Sequence, residues 1–308
     1  LLFIKHDRRS EGRSAVVDGA CSDEFIRGLP FSLTDGQTEA WEAIKGDLAC
    51  EKAMSRLVQG DVGSGKTAVA ELAMFAAARN GFQSVMMAPT ELLAKQHMKS
   101  LSSDFAPYGI KTGLLCSSMK PSQKREILQQ LTDGEIQVLI GTHAVISPEV
   151  QFKNLGLVIT DEQHRFGVNQ RSLLSKKGEN PNVLVMTAMP IPRTLAVILY
   201  GDLDISQIRT MPAGRQPVKT VQTDGEGRRK VYAFVGEQLK KGRQAYVVAP
   251  LIEESDKVEA KSAEQLYQEL TELFRGFRTA LVHGGMKQEE KDAVMKDFAE
   301  GRIDLLIS

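Results

Sequence analysis

The chain has 308 residues, and its 39 basic and 39 acidic side chains give a formal net charge of zero, which excludes a protein that attracts nucleic acid through a strong overall positive field. The length suggests two domains, and 42% hydrophobic with 25% charged residues indicates a globular rather than a disordered chain. The three scattered cysteines form no CxxC pair, which argues against a disulfide framework or a zinc site. Since no apolar run approaches the ~18 residues of a membrane span, we expect a cytoplasmic protein with no membrane partner.

The N-terminal part of the chain divides into a weakly patterned segment and a strongly patterned one. Residues 1–28 mix charges with Gly and Ser, so we expect a linker or the remnant of a preceding domain; the missing initiator Met indicates a fragment. From Leu29, short apolar runs alternate with helical stretches. We predict strands at RLVQG, SVMMAPT, GLLCS, QVLIGTH, LGLVITDE and NVLVMTAM, and helices at 67–79, 92–104, 122–132 and 192–200. This alternation predicts an α/β first domain, residues 29–210, with a parallel sheet covered on both faces.

A second α/β block follows the Pro- and Gly-containing stretch MPAGRQP, which predicts a second domain over residues 211–308. We expect strands at KTVQTD, QAYVVAPL, TALVHGG and IDLLIS, and helices at 227–241, 260–274 and 287–299. Because the sequence stops inside a strand, we expect the second sheet to be incomplete and IDLLIS to lie at an exposed sheet edge.

One loop carries the strongest chemical signal, because GDVGSGKT matches G-x-x-x-x-G-K-[ST] between an apolar run and an Ala-rich stretch. Glycines let successive backbone N–H groups approach phosphate oxygens, and the N-terminus of a following helix favours the same negative charge. Lys66 would reach the β- and γ-phosphates, and the Thr67 hydroxyl would bind Mg²⁺. An ordinary glycine turn leaves the Lys-Thr pair unexplained. The predicted cradle for a nucleoside triphosphate consists of Gly60, Asp61, Val62, Gly63, Ser64, Gly65, Lys66 and Thr67.

A second motif places two carboxylates, Asp161 and Glu162, at the end of the apolar run LGLVIT. In P-loop folds an Asp at such a strand end holds Mg²⁺, and a neighbouring Glu can polarise the attacking water. Taken alone, the pair fits a solvated strand end equally well, and the upstream phosphate-binding loop favours the catalytic alternative. Gln163 and His164 follow at the same edge and are candidates for contact with the γ-phosphate or with neighbouring motifs.

The strings GDVGSGKT and DEQH resemble the motor motifs of superfamily 2 helicases. Further stretches are similar to the RecG family of bacterial branched-DNA helicases: LPFSLTDGQTEAW (29–41), APTELLAKQH (88–97), GTHAVI (141–146), TAMPIPRTLA (187–196) and VHGGMKQEEKDAVMKDFAEG (282–301). The resemblance covers residues 29–308. It implies two RecA-like P-loop domains, the second truncated, in an ATP- and Mg²⁺-dependent DNA helicase. Such an enzyme would act as a monomer on branched or duplex DNA, at replication forks and Holliday junctions, in recombination and repair.

The resemblance also implies roles for single residues. Gln37 would read the adenine, although Thr34-x-x-Gln37 also fits a helix capping box. Residues that couple the nucleotide state to DNA grip would be Thr187, Ala188 and Arg193. DNA-facing loops would contain Pro89, Thr90, Glu91, Thr142 and His143 in the first domain, and Ala249, Pro250, His283 and Gly284 in the second. The simpler alternatives are helix capping for Thr90, a buried strand end for His143 and ordinary turn chemistry for the second-domain loops.

The sequence also departs from the RecG family. The coupling motif is usually Thr-Ala-Thr and is Thr187-Ala188-Met189 here, so we expect weaker coupling. The motifs expected after LLIS, including an arginine finger, and the wedge domain expected before residue 1 are not in this sequence. Since an arginine finger contributes ~10³–10⁵ in turnover, we expect slow hydrolysis. The alternatives are a translocase similar to the transcription-repair coupling factor Mfd and, for this fragment alone, a nucleotide-binding module without turnover.

Overall fold

The structure is a computed structural model that describes two compact units, Leu1–Gln216 and Pro217–Ser308. The residues it describes are 19–50, 52–161, 174, 177–178, 180–189, 203–212, 218–225, 227–249 and 256–308. The division between the units falls a few residues after the boundary predicted at residue 211. Among the described helices, none is both long and apolar enough to cross a bilayer.

The first unit is built on a seven-stranded sheet in which every hydrogen-bonded pair of strands is parallel. Its spatial order is β3-β4-β2-β5-β6-β1-β7. The strands are β1 (Ser55–Gly60), β2 (Gln83–Met87), β3 (Thr112–Leu115), β4 (Val138–Gly141), β5 (Leu155–Thr160), β6 (Asn182–Thr187) and β7 (Asp204–Ile208). The first six coincide with the predicted apolar runs. Strand β7 was not predicted, because an edge strand that alternates exposed Asp204 and Gln207 with buried Ser206 and Ile208 carries no continuous apolar run.

The helices of the first unit follow the same chain order: α1 (Gly19–Gly28), α2 (Asp35–Leu48), α3 (Lys66–Arg79), α4 (Glu91–Phe105) and α5 (Pro121–Asp133). Helices α3 to α5 match the predicted ranges within a residue or two, and the helix predicted over 192–200 lies outside the described residues. Helix α1 was not predicted, and only the start of α2 was indicated, by the capping-box alternative at Thr34-x-x-Gln37. Residues 19–28 belong to the segment expected to be a linker or remnant, and they form a helix whose Phe25 ring stacks 4.7 Å from that of Phe75 on α3.

Hydrophobic side chains cover both faces of this sheet. Successive side chains of a strand point to opposite faces, so Met86 and Ile159 enter the core under α1 to α4, whereas Met87 and Val158 enter the core under α5. Helix α3 is buried along most of its length, and its many alanines let it lie close to the strands. Burial on both faces explains why these strands are continuous apolar runs, and it confirms the α/β class with a parallel sheet.

The second unit contains a smaller parallel sheet of order β8-β10-β9. Its elements are α6 (Arg228–Lys240), β8 (Ala245–Val247), α7 (Asp256–Leu273), β9 (Thr279–Leu281), α8 (Gln288–Ala299) and β10 (Leu305–Ile307). The core is formed by Leu239, Leu270, Phe274, Leu305 and Ile307.

Two predictions for the second unit were wrong. IDLLIS does not lie at a sheet edge, because β10 pairs with β8 on one side and with β9 on the other. KTVQTD forms no strand; the described segment 218–225 is exposed, with Val218 at 82% and Val221 at 70% of their surface accessible. A strand of this composition forms only where a neighbouring strand and a core stabilise it, and neither contacts this segment among the described residues.

Candidate functional site

The phosphate-binding motif forms the connection between β1, which ends at Gly60, and α3, which begins at Lys66. Gly63 (φ 78°) and Gly65 (φ 82°) lie in the left-handed region that L side chains rarely adopt. A Cβ at Gly65 would also collide with Nε2 of Gln37. The sequence therefore needs glycine here to build a tight loop directly before a fourteen-residue helix, whose N-terminal N–H groups favour an anion.

Lys66 is folded back across this loop. Its Nζ donates to the carbonyl oxygens of Gly60, at 2.8 Å, and of Asp61, at 3.1 Å, and the residue is only 8% exposed. A buried ammonium group must be compensated by hydrogen bonds or by an opposite charge. The carbonyl oxygens supply the first here, and a triphosphate would supply the second. Thr67 is half-buried in the first turn of α3, beside the lysine, so this donor set fits an Mg²⁺-bound triphosphate.

Gln37 takes part in two sets of hydrogen bonds, one within the capping box of α2 and one to the phosphate-binding loop. It completes a capping box at the start of α2, with Thr34 N donating to Gln37 Oε1 at 2.9 Å and Gln37 N donating to Thr34 Oγ1 at 3.4 Å. Its Nε2 donates at 2.8 Å to the Ser64 carbonyl oxygen in the phosphate-binding loop. The capping box is therefore confirmed. Adenine reading stays a prediction, and the bond to Ser64 places Gln37 against the loop.

Asp161 is positioned directly after β5, and only 9% of its surface is exposed. Its N–H donates to the Met87 carbonyl oxygen at 2.9 Å, which continues the ladder to β2. Its Oδ2 lies 3.1 Å from Nε2 of His97 on α4, a residue that the sequence analysis did not select. Glu162, Gln163 and His164 lie outside the described residues.

The described residues contain no cluster of three or more His, Cys, Asp and Glu side chains that could hold a metal by themselves. Magnesium is usually bound by one or two side chains together with phosphate oxygens and water. Thr67 and Asp161 follow β1 and β5, and the carboxyl ends of both strands lie at the same edge of the parallel sheet. The two residues that were predicted to hold Mg²⁺ thus lie at the same edge of the first sheet.

The coupling motif lies at this edge as well. Thr187 ends β6, between β5 and β1, and its Oγ1 accepts a hydrogen bond from Met189 N at 3.1 Å. Gln59 Nε2 donates to the Met189 carbonyl oxygen at 2.9 Å. The Met189 side chain is 50% exposed and Ala188 is half-buried. The backbone of Met189 is therefore held at both polar groups while its thioether points outward. Arg193 lies outside the described residues.

The loops predicted to face DNA in the first unit follow β2 and β4, which are neighbours. Thr90 caps α4 by accepting from Leu93 N at 3.3 Å, which confirms the capping alternative without testing a DNA role. Glu91 accepts from Ser118 N at 3.0 Å and from the Ser118 hydroxyl, so it ties the α4 start to the loop after β3. Pro89 is half-buried, Thr142 is buried, and His143 is exposed, which contradicts the alternative of a buried strand end.

The corresponding loops of the second unit follow β8 and β9. Ala249 N donates to the Ser308 carbonyl oxygen at 2.6 Å, and His283 and Gly284 are the second and third residues after β9. Lys291 Nζ donates to the Gly284 carbonyl oxygen at 2.8 Å. Pro250 lies outside the described residues. Because the three strands are parallel, these loops also share one edge of their sheet.

The family comparisons match both units. A DEAD/DEAH box helicase model matches residues 34–197, and a helicase conserved C-terminal domain model matches residues 228–308. The ATP-dependent DNA helicase RecG of Thermotoga maritima is 48% identical over 312 residues, which cover 100% of this chain and 40% of that protein. RecG of Bacillus subtilis is 49% identical over 285 residues, 92% of this chain and 42% of that protein. The chain thus spans less than half the length of these relatives.

Solved structures agree in fold. The structure of RecG bound to a three-way DNA junction has a TM-score of 0.82 and 43% identity, and the match covers 100% of this chain and 40% of the other. The helicase MrfA bound to DNA and AMPPNP has a TM-score of 0.67 at 17% identity, covering 97% of this chain and 45% of the other, so it supports the RecA-like helicase fold alone. The chain therefore belongs to the DEAD/DEAH box helicase family, and within that family it is similar to the RecG helicases.

Proposed function

We propose that this chain is the ATP-driven motor of a DNA helicase that acts on branched DNA, at replication forks and Holliday junctions, in recombination and repair. The observation that carries the proposal is the position of Lys66, Thr67 and Asp161 at one edge of the sheet. All of this chain, corresponding to 40% of the relative's length, is similar to RecG of Thermotoga maritima. The remaining elements of the proposal are a monomer and a cytoplasmic location.

Several residues of the chain would surround Mg²⁺-ATP, and hydrolysis of the bond between the β- and γ-phosphates of ATP would supply the energy for movement. The loop N–H groups and Lys66 would bind the phosphates, and Lys66 would exchange the carbonyl oxygens of Gly60 and Asp61 for phosphate oxygens. Thr67 and Asp161 would hold Mg²⁺. Gln37 would orient the adenine.

The three residues that follow Asp161 in sequence complete the proposed ATPase site. Glu162 would polarise the attacking water. Gln163 and His164 would contact the γ-phosphate or connect it to neighbouring motifs.

DNA contact is assigned to the loops at the carboxyl edges of the two sheets. Backbone N–H groups at strand-to-helix loops suit phosphate contacts, which fix position without reading sequence. In the first unit the loops would act through Pro89, Thr90, Glu91, Thr142 and His143, and in the second through Ala249, Pro250, His283 and Gly284. Thr187, Ala188 and Arg193 would couple the state of the nucleotide to this grip. The similarity to RecG does not favour the Mfd-like alternative.

The test is ATP turnover by the chain with forked DNA, with blunt duplex DNA and without DNA. We expect forked DNA to raise turnover and Lys66→Ala to abolish it. The matched control is Lys52→Ala, because Lys52 is exposed ahead of β1, at the opposite edge of the sheet. Equal stimulation by fork and blunt duplex would contradict a preference for branches. Binding of Mg²⁺-ATP with turnover no higher than that of Lys66→Ala would make this chain a nucleotide-binding module.

A further inference from the structure

The side chains of Thr187, Gln59 and Gln207 form a row across the carboxyl end of the first sheet. Gln59 is the residue directly before the phosphate-binding loop. Strand β1 lies between β6 and β7, and Gln59 is in register with Thr187 on one side and with Gln207 on the other. Residues in register on neighbouring parallel strands point to the same face. The row therefore joins the strand that enters the phosphate-binding loop to the strand that enters the coupling motif and to the edge strand β7.

Hydrogen bonds continue this row at both ends. On the β6 side, Gln59 Nε2 donates to the Met189 carbonyl oxygen at 2.9 Å. On the β7 side, Gln207 Nε2 donates to Gln59 Oε1 at 3.1 Å. Arg209 then donates to Gln207 Oε1 from Nε, at 3.1 Å, and from a terminal guanidinium nitrogen, at 2.7 Å.

The direction of every bond in this series is fixed by its two ends. Arginine can only donate, so Gln207 must present its oxygen to Arg209 and its amide nitrogen to Gln59. Gln59 must then present its oxygen to Gln207, which leaves its nitrogen for the Met189 carbonyl oxygen, an obligate acceptor. Gln59 is only 6% exposed, so neither of its amide ends can exchange freely with water. One orientation satisfies the whole series, and a flipped amide would break it.

The segment after β7 also touches the nucleotide side of the site. Thr210 Oγ1 donates to Thr34 Oγ1 at 2.8 Å and accepts from Gly36 N at 3.2 Å, at the start of the helix that carries Gln37. A Cβ on Gly60 would lie 3.2 Å from the Ile208 carbonyl oxygen. Residues 207–210 thus contact β1, the first turn of α2 and, through Gln59, the coupling motif.

We propose that Gln59 is a positioning residue that links the coupling segment Thr187–Met189 to the phosphate-binding loop, and that Gln207 and Arg209 extend this link to the segment that leaves the first unit. The inference rests on the proposed function, because it requires a nucleotide at the loop. When Lys66 exchanges the Gly60 carbonyl oxygen for a phosphate oxygen, the Gly60–Asp61 peptide unit loses that hydrogen bond and can turn, and Gln59 is the residue directly before Gly60. Gln59 then shifts the Met189 backbone that it holds.

The test observes Met189 directly, by methyl NMR of the chain labelled at its methionine methyl groups and titrated with Mg²⁺-ATPγS. In the wild-type chain we expect the Met189 methyl resonance to shift on nucleotide binding. Gln59→Leu and the milder Gln207→Leu, at an exposed position, should each reduce that shift while the nucleotide still binds. The control is Gln129→Leu, since Gln129 is an exposed residue on α5 whose amide nitrogen donates to Asp133, one turn along the same helix.

A second readout separates coupling from stability. If forked DNA stimulates turnover, the ratio of stimulated to basal rate should fall by about tenfold in Gln59→Leu, within the usual range of coupling between sites. A Met189 shift that is unchanged in both variants, or absent from a wild-type chain that binds nucleotide, would overturn the inference and leave the proposed function standing. Failure of the wild-type chain to bind Mg²⁺-ATPγS would overturn both.

Discussion

His97 Nε2 lies 3.1 Å from Asp161 Oδ2, and both side chains are almost enclosed, at 12% and 13% exposed. The pair joins the second turn of α4 to the residue after β5, which are 64 positions apart in sequence. A partner of this kind restricts the rotamers of a carboxylate that is proposed to hold Mg²⁺. His97 therefore connects α4, the helix that follows a loop assigned to DNA contact, with the proposed metal site.

Removing the His97 side chain should weaken the affinity of the proposed site for Mg²⁺. We expect His97→Ala to raise the Mg²⁺ concentration needed for half-maximal turnover by about tenfold, because residues that orient metal ligands typically contribute that much. His97→Asn, which keeps a donor, should recover part of the loss. The measurement is turnover as a function of Mg²⁺ concentration, with the exposed neighbour Gln96→Ala as control. An unchanged Mg²⁺ dependence in His97→Ala would rule the role out.

Glu71 should make the stability of the first unit depend on pH. Burial raises the pKa of Glu71 from 4.5 to about 7, and the negative charge of Asp104 adds to the rise. The unfolded chain therefore loses this proton at a lower pH than the folded chain does. Between pH 4.5 and about 7 the folded state holds more protons, so the free energy of unfolding falls as pH rises through this window.

The substitution that removes this effect is Glu71→Gln. We expect it to raise the free energy of unfolding by about 3 kcal/mol at pH 8 and by less than about 1 kcal/mol at pH 5, from the size of the pKa shift. Urea titrations at the two pH values measure the difference. Glu149→Gln, at an exposed position, should change neither value. An equal gain at both pH values would show that the charge of Glu71 is not the cause.

Gly65 should be required for two separable reasons. Its left-handed φ of 82° makes alanine strained, and a Cβ there would also displace Gln37 Nε2. Gly109 has a similar φ of 70°, and nothing lies within 4 Å of the position that a Cβ would take there, so Gly109→Ala measures backbone strain alone. We expect both variants to lose about 1–2 kcal/mol of stability and only Gly65→Ala to lose Mg²⁺-ATP binding. Full nucleotide binding by Gly65→Ala would show that the contact with Gln37 is dispensable.

Helix α1 should stabilise the first unit. Phe25 is 1% exposed and its ring lies 4.7 Å from that of Phe75 and 5.5 Å from that of Phe105. We expect Phe25→Ala to cost about 3–5 kcal/mol of stability, as for other buried aromatic residues. Thermal unfolding measures the loss. Phe234→Ala, at a site that is 60% exposed, should cost far less, and a similar small effect of Phe25→Ala would mean that α1 does not support the core.

The elements that could be predicted from the sequence are those whose signal is local. The loop from Gly60 to Thr67 and the six apolar strands of the first sheet are continuous stretches whose composition depends on their own burial. Strand β7 and helix α1 were missed because each has only a few apolar residues. Those residues form a core only with distant parts of the chain, as Phe25 of α1 does with Phe75. The failure at KTVQTD has the same origin, since its alternation needs a neighbouring strand and none of the described strands pairs with it.

The contacts that complete the site could not be predicted for a related reason. Gln59 and Met189 are 130 positions apart, and no motif predicts that an amide will meet that carbonyl oxygen. Such pairs depend on the order of strands in the sheet. No single stretch of the sequence predicts that β6 lies between β5 and β1. Thr34 and Gln37 show the opposite case, because a capping box joins residues only three positions apart and was predicted from them.

The central position of β10 constrains how the second unit is made. Among the described residues, strands β8 and β9 are bonded to β10 and not to one another, so a ribosome that has synthesised residues 217–281 has produced two strands that do not pair with each other. At ~5–20 residues per second, the nascent chain must wait on the order of seconds for Leu305–Ile307. During that interval the backbone groups of β8 and β9 that bond to β10 have no partner strand, so this sheet can form only after β10 has been synthesised.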